Sequence, residues 1–285
     1  MSMKDEITSD ESLRLEEFFA NSESNIISIE EIEDISQNTG IPLRRVECFA
    51  LGKGLIPPRY QRNIGTFGVD GQIKLLESTV IVIGLGGLGG SILEQIARAG
   101  FGTIIGVDPD VFDQSNLNRQ LLSTEQTIGQ EKVAAAQRRV HEINSAVCFT
   151  GHVCKLQDLP DDLWQAADMV FDCLDNIPDR LILADKCARA DCPLIHGAIA
   201  GWYAEVGVVW PDSKMLETYY QGQTEGIEKE LGTPASTAMM TASIMAAKAG
   251  QILAGGDLSK ESKMHVFNLL DNEWQIITME KDNHE

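Results

Sequence analysis

The stretch VIVIGLGGLG at residues 80–89 decides the fold of this chain. Four consecutive apolar, β-branched residues are typical of a central strand in a parallel sheet, which is buried on both faces. The glycines that follow, Gly84, Gly86, Gly87 and Gly89, fit the pattern G-x-G-x-x-G and lead into a helix predicted over residues 88–99. Such a loop lets backbone amides and a helix N-terminus approach a phosphate group. The stretch therefore predicts a nucleotide-binding strand-loop-helix unit.

The rest of the pattern extends this unit into an α/β domain. A second apolar run, residues 102–107, ends in Asp108, which lies 19 residues after Gly89 (108 minus 89). A dinucleotide-binding unit places the acid that binds a ribose hydroxyl at about this distance. We predict an α/β fold with a Rossmann-like mixed sheet, parallel in its nucleotide-binding half and antiparallel in its C-terminal half. Further strands are predicted near 147–153, 169–172, 194–196, 204–210, 265–270 and 274–279, and helices over 132–144 and 178–190.

A small helical appendage precedes this domain. Ser28 and Glu31 form a capping-box pattern, and Gly40 supplies a C-cap about three turns later. A second helix is predicted to run from Pro42 through Leu51. We expect three parts: a flexible acidic segment with at most one short helix at 1–24, the helical appendage at 25–58, and the nucleotide-binding domain at 59–285.

Composition and charge exclude several classes of function. The chain has 285 residues with 23 Lys and Arg against 43 Asp and Glu, a formal net charge of −20. So acidic a surface excludes tight, sequence-independent binding of nucleic acid, because phosphate contacts need basic side chains. The N-terminus lacks the pattern of a signal peptide, and the most apolar stretch, 235–256, is interrupted by polar residues as in a buried helix rather than a membrane span. The six cysteines form no Cys-x-x-Cys pair, so we expect a reduced, cytoplasmic protein whose cysteines are mostly core residues.

The glycine loop alone does not decide which nucleotide binds. Arg119 and Lys132 favour ATP, because a triphosphate carries more charge than the pyrophosphate of a dinucleotide and needs cations during transfer. A nicotinamide-dependent oxidoreductase is the alternative at this point. A third interpretation is a nucleotide-binding adaptor without catalytic activity.

Six blocks of sequence carry a resemblance to a known family. The blocks are Arg59-Tyr60-Gln61-Arg62-Asn63, the glycine loop, Asp108-x-Asp110, Asn116-Leu117-Asn118-Arg119-Gln120, Gly129-x-x-Lys132 and Asp172-Cys173-Leu174-Asp175-Asn176. In order and spacing they resemble the MoeB/ThiF/HesA family of ubiquitin-activating-like adenylyltransferases. The resemblance covers residues 59 to about 280, which is nearly the whole chain beyond the appendage.

The resemblance implies an activity, a partner and a set of site residues. Members of the family use ATP and Mg to adenylate the C-terminal glycine carboxylate of a small ubiquitin-like sulfur carrier, MoaD-like or ThiS-like and ending in Gly-Gly, with release of pyrophosphate. It also implies a homodimer in which Arg62 reaches the ATP of the partner subunit. The catalytic residues implied are Arg62, Arg119, Lys132 and Asp175, with Asp175 holding Mg. The nucleotide-binding residues implied are Gly84, Gly86, Gly87, Gly89, Asp108, Asp110, Asn116, Arg119, Lys132 and Asn176. The pathway, whether molybdenum or tungsten cofactor, thiamine or other sulfur delivery, stays open.

Two departures from the family pattern change the expectation. Many members bind a structural zinc with two Cys-x-x-Cys pairs, but the matching stretches here, 211–215 and 281–285, contain no cysteine, so we expect no zinc site. Some relatives carry a cysteine in the crossover before the long C-terminal helix, for a thioester or persulfide link. The equivalent stretch, 219–241, contains none, so we expect no covalent step there.

The last hairpin allows two interpretations. Phe267, Leu269, Trp274 and Ile276 recur as apolar residues on predicted strands. Their alternation favours core positions, and a face that docks the carrier is the alternative.

Overall fold

The computed structural model describes residues 8–19, 25–256 and 263–278. Parts of the predicted flexible segment, 1–7 and 20–24, and the C-terminal stretch 281–285 lie outside the described residues. The helices are α1 (Ser9–Phe19), α2 (Ile29–Thr39), α3 (Leu43–Gly52), α4 (Ile64–Glu77), α5 (Gly87–Ala99), α6 (Lys132–Ile143), α7 (Asp161–Ala166), α8 (Ile177–Arg189), α9 (Met215–Tyr219), α10 (Glu228–Leu231) and α11 (Ala235–Leu253). The strands are β1 (Thr79–Ile83), β2 (Thr103–Val107), β3 (Cys148–His152), β4 (Met169–Asp172), β5 (Leu194–Ala200), β6 (Tyr203–Val209), β7 (Lys263–Asn268) and β8 (Glu273–Thr278).

One mixed sheet of eight strands organises the domain, in the order β3-β2-β1-β4-β5-β6-β7-β8. The strands from β3 to β5 are parallel, and β6, β7 and β8 continue the sheet antiparallel. The predicted fold class is therefore confirmed. The strand order reverses direction between β1 and β4, and ligands of open α/β sheets bind at the carboxyl ends of the strands beside such a switch point.

The apolar run that begins the glycine motif forms the centre of the core. Val80 and Val82 face α5, α6 and α11, whereas Ile81 and Ile83 face α7, α8 and α9. Both sets are buried, as expected for a strand that is covered by helices on both sides of the sheet. Helix α11, rich in small residues, lies against α5 and the strands β5 and β6. One face of α11 is buried, with Ala238, Ala242 and Ala249 fully covered, whereas Met239 and Ser243 on the other face are exposed, so the expected buried helix is buried on one side only.

The appendage has a core of its own. The predicted capping box is present at the start of α2, and Gly40 ends the helix in the left-handed conformation with φ 70°. Helix α1 lies within the segment predicted to be flexible, and its Leu15 is fully buried among apolar residues of α2 and α3. The division of the chain into three parts stays a prediction, but residues 9–19 pack with the appendage rather than apart from it.

A buried polar cluster, which we call the junction network, joins the appendage to the domain. It consists of Glu47, Arg59, Tyr60 and Asn144. The Tyr60 hydroxyl donates to Glu47 Oε2 (3.0 Å) and accepts from Asn144 Nδ2 (2.9 Å). Arg59 donates to Asn144 Oδ1, and its Nε lies 3.4 Å from Glu47 Oε1. Because Glu47 is on α3 and Asn144 follows α6, these bonds fix the appendage against the sheet domain.

The last hairpin has one buried and one exposed strand. Phe267 on β7 is buried against Trp274, with ring centroids 4.6 Å apart, but Trp274 is 59% and Ile276 is 56% exposed. The core interpretation is therefore wrong for Trp274 and Ile276, because β8 is the edge strand and no described helix covers it.

Two expectations from composition concern membranes and cysteines. No helix in the described part of the chain is long and apolar enough to cross a membrane. Cys187 and Cys192 are buried, Cys48, Cys154 and Cys173 are partly buried, and Cys148 is exposed. Burial raises the pKa of the Cys187 and Cys173 thiols, which favours the inert thiol over the nucleophilic thiolate.

Candidate nucleotide-binding site

A cavity of about 760 Å³ opens at the carboxyl ends of β1, β2 and β4. Its volume is within the range of small-molecule sites. The predicted residues that line it are Gly84, Gly86, Gly87, Asp108, Asp110, Arg119, Lys132, Asp175 and Asn176. The structure therefore brings nine predicted residues from separate blocks of sequence into one cavity.

The glycine loop brings backbone close to the cavity and to the turn after β4. Gly84 has φ +91°, and a Cβ there would lie 2.7 Å from the carbonyl oxygen of Cys173. Gly86 and Gly87 line the cavity at the N-terminus of α5. Gly89 does not line it: a Cβ at Gly89 would collide with the carbonyl of Gly84, so this glycine lets the helix pack against the loop.

Asp108 ends β2 beside the loop. Its Oδ2 accepts from the amide of Leu85 (2.7 Å), and its Oδ1 accepts from the amide of Asp110 (2.9 Å). Lys132 Nζ donates to Asp110 Oδ2 (3.0 Å) and lies 3.5 Å from Asp108 Oδ1. A carboxylate offers about four acceptor positions, so Asp108 keeps capacity for a ribose hydroxyl. Lys132 is placed where its charge reaches both acids and the cavity.

Arg119 occupies the wall next to Gly87. Its Nη1 donates to Asn118 Oδ1 (2.8 Å) and to the carbonyl of Ser115 (3.2 Å), which orients the guanidinium along the loop. Asn116 is absent from the cavity lining; its Oδ1 accepts from the amide of Asp113 (3.0 Å) and caps a short 3-10 helix. In this structure Asn116 shapes the loop that carries Arg119.

Asp175 and Asn176 form the wall after β4. Asn176 caps α8 by accepting from the amide of Asp179 (2.9 Å), and Asp175 is exposed beside it. Mg commonly takes one or two carboxylates together with substrate phosphates, and the exposed carboxylate of Asp175, which accepts a long hydrogen bond from Asn176 Nδ2 (3.4 Å), fits that requirement. No group of three or more metal-ligating side chains occurs within the described ranges.

Arg62, like Gly89 and Asn116, is a predicted residue outside the cavity lining. It precedes α4, is exposed and does not line the cavity of its own chain. The expected action of Arg62 at the nucleotide of a partner subunit stays a prediction.

Sequence reasoning missed three cations in the cavity lining, Lys155, Arg180 and Lys229. Lys155 follows β3, so the rule that strand carboxyl ends share one edge could have found it. Arg180 lies four residues after the N-cap Asn176 and hence on the same side of α8, which is also readable from spacing. Lys229 is on α10, in a stretch that shows no local signal for the cavity.

A second buried polar cluster, which we call the sheet network, lies beneath the turn of Asp175. It consists of Asp172 on β4, Arg180 on α8, His196 on β5, Glu205 on β6, and Tyr219 and Tyr220 at the end of α9. His196 Nδ1 lies 2.7 Å from Asp172 Oδ2, and His196 Nε2 lies 3.0 Å from the Tyr220 hydroxyl and 3.4 Å from Glu205 Oε1. Both tyrosine hydroxyls donate to Glu205, that of Tyr219 at 2.7 Å.

Charge pairing decides the protonation of this cluster. Burial lowers the pKa of His196, but the hydrogen bonds and charges of Asp172 and Glu205 outweigh it, so its pKa is above the usual value. Burial raises the pKa of Glu205, yet hydrogen bonds from His196 and the two tyrosines bring it down to about 2. The raised pKa of His196 favours its charged form, so that His196 and Arg180 face the acidic side chains of Asp172 and Glu205 in this cluster.

The fold and the site agree with a comparison against known families. Residues 60–285 match the sequence profile of the ThiF family. This chain belongs to the ThiF family. The match begins one residue after the boundary predicted for the nucleotide-binding domain, and it leaves the appendage outside the ThiF region.

Curated relatives of this ThiF-family chain include proteins named for adenylyl transfer. The chain is 30% identical over 236 residues to the probable adenylyltransferase/sulfurtransferase MoeZ of Mycobacterium tuberculosis, covering 79% of this chain and 60% of that protein. It is 34% identical over 157 residues to the SAMP-activating enzyme E1 of Haloferax volcanii, covering 54% of this chain and 58% of the relative. The chain thus spans about 60% or less of the length of these relatives.

Solved structures show the same ThiF fold at low identity. The structure of E. coli MccB with ATP superposes with a TM-score of 0.66 at 19% identity, covering 96% of this chain and 87% of MccB. The structure of PaaA gives a TM-score of 0.64 at 20% identity, covering 77% of this chain and 82% of PaaA. These neighbours support the fold.

Proposed function

We propose that this chain uses ATP and Mg to adenylate the C-terminal glycine carboxylate of a small ubiquitin-like sulfur carrier, MoaD-like or ThiS-like. The observation that carries the proposal is the meeting of the glycine loop, Arg119, Lys132 and Asp175 in one cavity of a ThiF-family chain. A nicotinamide-dependent oxidoreductase would use the loop and Asp108 but leaves the two cations and Asp175 without a role.

The chemistry needs position and charge rather than a base. A carboxyl group with an ordinary pKa near 4 is already ionised at neutral pH, so its oxygen can attack the α-phosphorus directly. The new bond joins that oxygen to the α-phosphorus, and the bond from the α-phosphorus to the bridging oxygen of the departing pyrophosphate breaks. No proton has to move. The protein's tasks are to place the two groups in line and to stabilise the charge on pyrophosphate.

The cavity residues divide these tasks between them. The amides at the start of α5 and the side chains of Arg119 and Lys132 bind phosphate oxygens, and Asp108 binds the ribose. Asp175 would hold Mg, which neutralises phosphate charge when it is bound. Lys132 would exchange its contact with Asp110 for a phosphate oxygen, since an ammonium has three donors and can turn between them.

We also propose a homodimer, which the exposed position of Arg62 allows. We propose that Arg62 acts at the ATP site of the partner subunit, because it is exposed and outside the cavity of its own chain. The exposed Trp274 and Ile276 of β8 offer an apolar surface for docking the folded part of the carrier.

Pyrophosphate exchange into ATP tests the activity. Exchange should require a carrier ending in Gly-Gly and should fall by roughly 100-fold or more in Arg119→Ala and Lys132→Ala, as for the loss of a transition-state donor. Arg189→Ala is the matched control, because Arg189 is an exposed cation at the far end of α8 whose partner is Asp185. Equal losses in all three variants, or binding of NADH without exchange for any carrier, would contradict the proposal.

A further inference from the structure

The chain between α9 and α11 crosses from the sheet network into the nucleotide cavity. We call residues 221–232 the crossover segment. Residues 221–225 are exposed, whereas α10 within the segment contributes Glu228 and Lys229 to the cavity lining. The position of α10 over the cavity therefore depends on how the two ends of the segment are held.

The exit of the crossover segment is tied to the loop of Arg119. The amide of Gly201 donates to the carbonyl of Gly232 (2.7 Å). Asn118 Nδ2 donates to the carbonyl of Thr233 (3.1 Å), while Asn118 Oδ1 accepts from Arg119 (2.8 Å). This end is fixed by backbone groups and by one side chain next to a predicted phosphate ligand.

The entry is held by the Tyr220 side chain together with backbone bonds, since the Gln221 amide donates to the carbonyl of Thr218 (3.5 Å) and the Gln223 amide to that of Tyr220 (2.8 Å). Tyr220 is the last residue before the segment and is buried. Its hydroxyl donates to Glu205 Oε1, lies 3.0 Å from His196 Nε2 and accepts from Arg180 Nη1 (3.3 Å). A hydroxyl can donate one hydrogen bond and accept two. When the ring of His196 is charged, the Tyr220 hydroxyl therefore donates to Glu205 and accepts from both His196 and Arg180.

Arg180 links this hydroxyl to the turn that carries Asp175. Its Nη2 donates to the carbonyl of Leu174 (2.9 Å), the residue directly before Asp175. The guanidinium carbon also lies 5.8 Å from the centre of the Tyr220 ring. Arg180 is only 6% exposed and lines the cavity, so a shift of Tyr220 moves a buried side chain that touches the Leu174–Asp175 turn.

We propose that Tyr220 is a positioning residue for adenylation. Its hydroxyl holds the start of the crossover segment and, through Arg180, the turn of Asp175, so that the segment and the turn keep one relative position. This inference rests on the proposed function for its catalytic consequence. Loss of the hydroxyl would leave Arg180 Nη1 without this acceptor and His196 Nε2 with its longer contact to Glu205 Oε1 (3.4 Å), so both side chains would shift to improve their hydrogen bonds. A displacement of about 1 Å at a catalytic group can cost about 100-fold in rate.

Tyr220→Phe tests the inference, and Tyr219→Phe is its matched control. Tyr219 is the neighbouring residue and also donates to Glu205, but it is half-buried, it does not line the cavity, and the described hydrogen bonds of Arg180 go to Tyr220 and Leu174 instead. For Tyr220→Phe we expect kcat of pyrophosphate exchange to fall about 10-fold or more, with KM for ATP changed less than about twofold, since the ribose and phosphate ligands are untouched. For Tyr219→Phe both values should stay within about twofold of wild type.

A second measurement does not depend on the carrier. Lys229 is exposed on α10, so limited trypsin cleavage after Lys229, followed by mass spectrometry of the full chain, reports how firmly the crossover segment is held. Cleavage should be about 10-fold faster in Tyr220→Phe and unchanged in Tyr219→Phe. Arg180→Lys keeps the charge but not both hydrogen bonds, so its cleavage should become faster as in Tyr220→Phe. It replaces Tyr220→Phe in this measurement if that variant does not fold.

The outcomes separate the two proposals. Absence of exchange in the wild type with every carrier would defeat the proposed function, while faster cleavage in Tyr220→Phe would still support the positioning of the segment. Exchange in the wild type with equal kcat and equal cleavage in Tyr220→Phe and Tyr219→Phe would overturn the inference.

Discussion

Glu47 in the junction network and Glu205 in the sheet network are both carboxyl groups held inside the protein, yet their pKa values are shifted in opposite directions. Burial raises the pKa of Glu47 to about 7, because the charge of Arg59 and the hydrogen bond from Tyr60 offset only part of the desolvation. Hydrogen bonds from His196, Tyr220 and Tyr219 bring the pKa of Glu205 down to about 2 against the same opposing effect of burial.

The difference shows that the number of hydrogen-bond and charge partners, rather than burial, decides the direction in which the pKa of a buried acid shifts. Glu47 receives one hydrogen bond, and Arg59 Nε approaches its second oxygen at 3.4 Å without hydrogen-bond geometry. Glu205 receives hydrogen bonds at both oxygens and faces a charged imidazole. The junction network is therefore suited to holding two parts of the chain together, and the sheet network is suited to keeping fixed charges beneath a catalytic turn.

The largest effect is expected from removing the cation of the sheet network. His196→Gln keeps a hydrogen-bonding side chain but leaves Asp172 and Glu205 with Arg180 as the one remaining cation of the cluster. Removing one partner of a buried ion pair typically costs about 3 to 5 kcal/mol, so we expect a loss of that size in the free energy of unfolding, measured with urea. His265→Gln, at a partly exposed histidine of β7, should cost less than about 1 kcal/mol. Similar small losses in both variants would mean that the sheet network carries no buried charge.

Opposite pH dependence of the two acids is the next test. The folded pKa of Glu47, about 7, is above its ordinary value of 4.5, so its contribution to stability is full below pH 4.5 and is lost as the pH rises through 7. The stability of wild type relative to Glu47→Gln should therefore fall by about 2 to 3 kcal/mol between pH 5 and pH 8. Urea unfolding at both pH values measures this difference.

Glu205→Gln is the matched variant for the lower part of the same pH range. The folded pKa of Glu205, about 2, is below 4.5, so its contribution is present above pH 4.5 and is lost as the pH falls through 2. From pH 5 to pH 6, below the ordinary pKa of His196, wild type relative to Glu205→Gln should show a nearly constant difference; at higher pH the variant also lowers the raised pKa of His196. Parallel curves for the two variants between pH 5 and pH 6 would refute the opposite pKa shifts of the two acids.

The parts of the molecule that local patterns describe were predictable from sequence. The run 80–83, the glycine loop and the capping box at Ser28 each depend on residues close together in the chain, and the structure confirms them. Helices α7, α9 and α10 are short and have weak periodicity, so their sequences do not predict a helix as clearly as these local patterns do. Trp274 and Ile276 alternate like core residues, and only their place on the edge strand leaves them exposed.

The two buried networks could not be predicted in this way. His196, Glu205 and Tyr220 come from three elements, and only the register of β5 with β6 and the packing of α9 bring them together. In sequence each is an ordinary polar residue near an apolar run. The residues that line the cavity were easier to predict, because the carboxyl ends of parallel strands meet at one edge of the sheet.

Removing a hydroxyl from each network should separate stability from activity. Tyr60→Phe takes away the hydrogen-bond donor of Glu47, which should cost about 2 kcal/mol in the free energy of unfolding. Because Tyr60 does not line the cavity, kcat of pyrophosphate exchange should stay within about twofold of wild type, in contrast to Tyr220→Phe. A Tyr60→Phe variant that folds but loses exchange to the same degree as Tyr220→Phe would show that the junction network also serves the site.

The smallest effect is expected at the start of α2. Ser28→Ala removes the side chain that accepts from the amide of Glu31 (3.2 Å), and loss of an N-cap typically costs about 1 kcal/mol. Ser28 lies in the appendage but belongs to neither network, so this loss should be the same at pH 5 and pH 8. If Ser28→Ala instead changes stability with pH as Glu47→Gln does, the pH dependence comes from loosening of the appendage as a whole, and the raised pKa of Glu47 is not its cause.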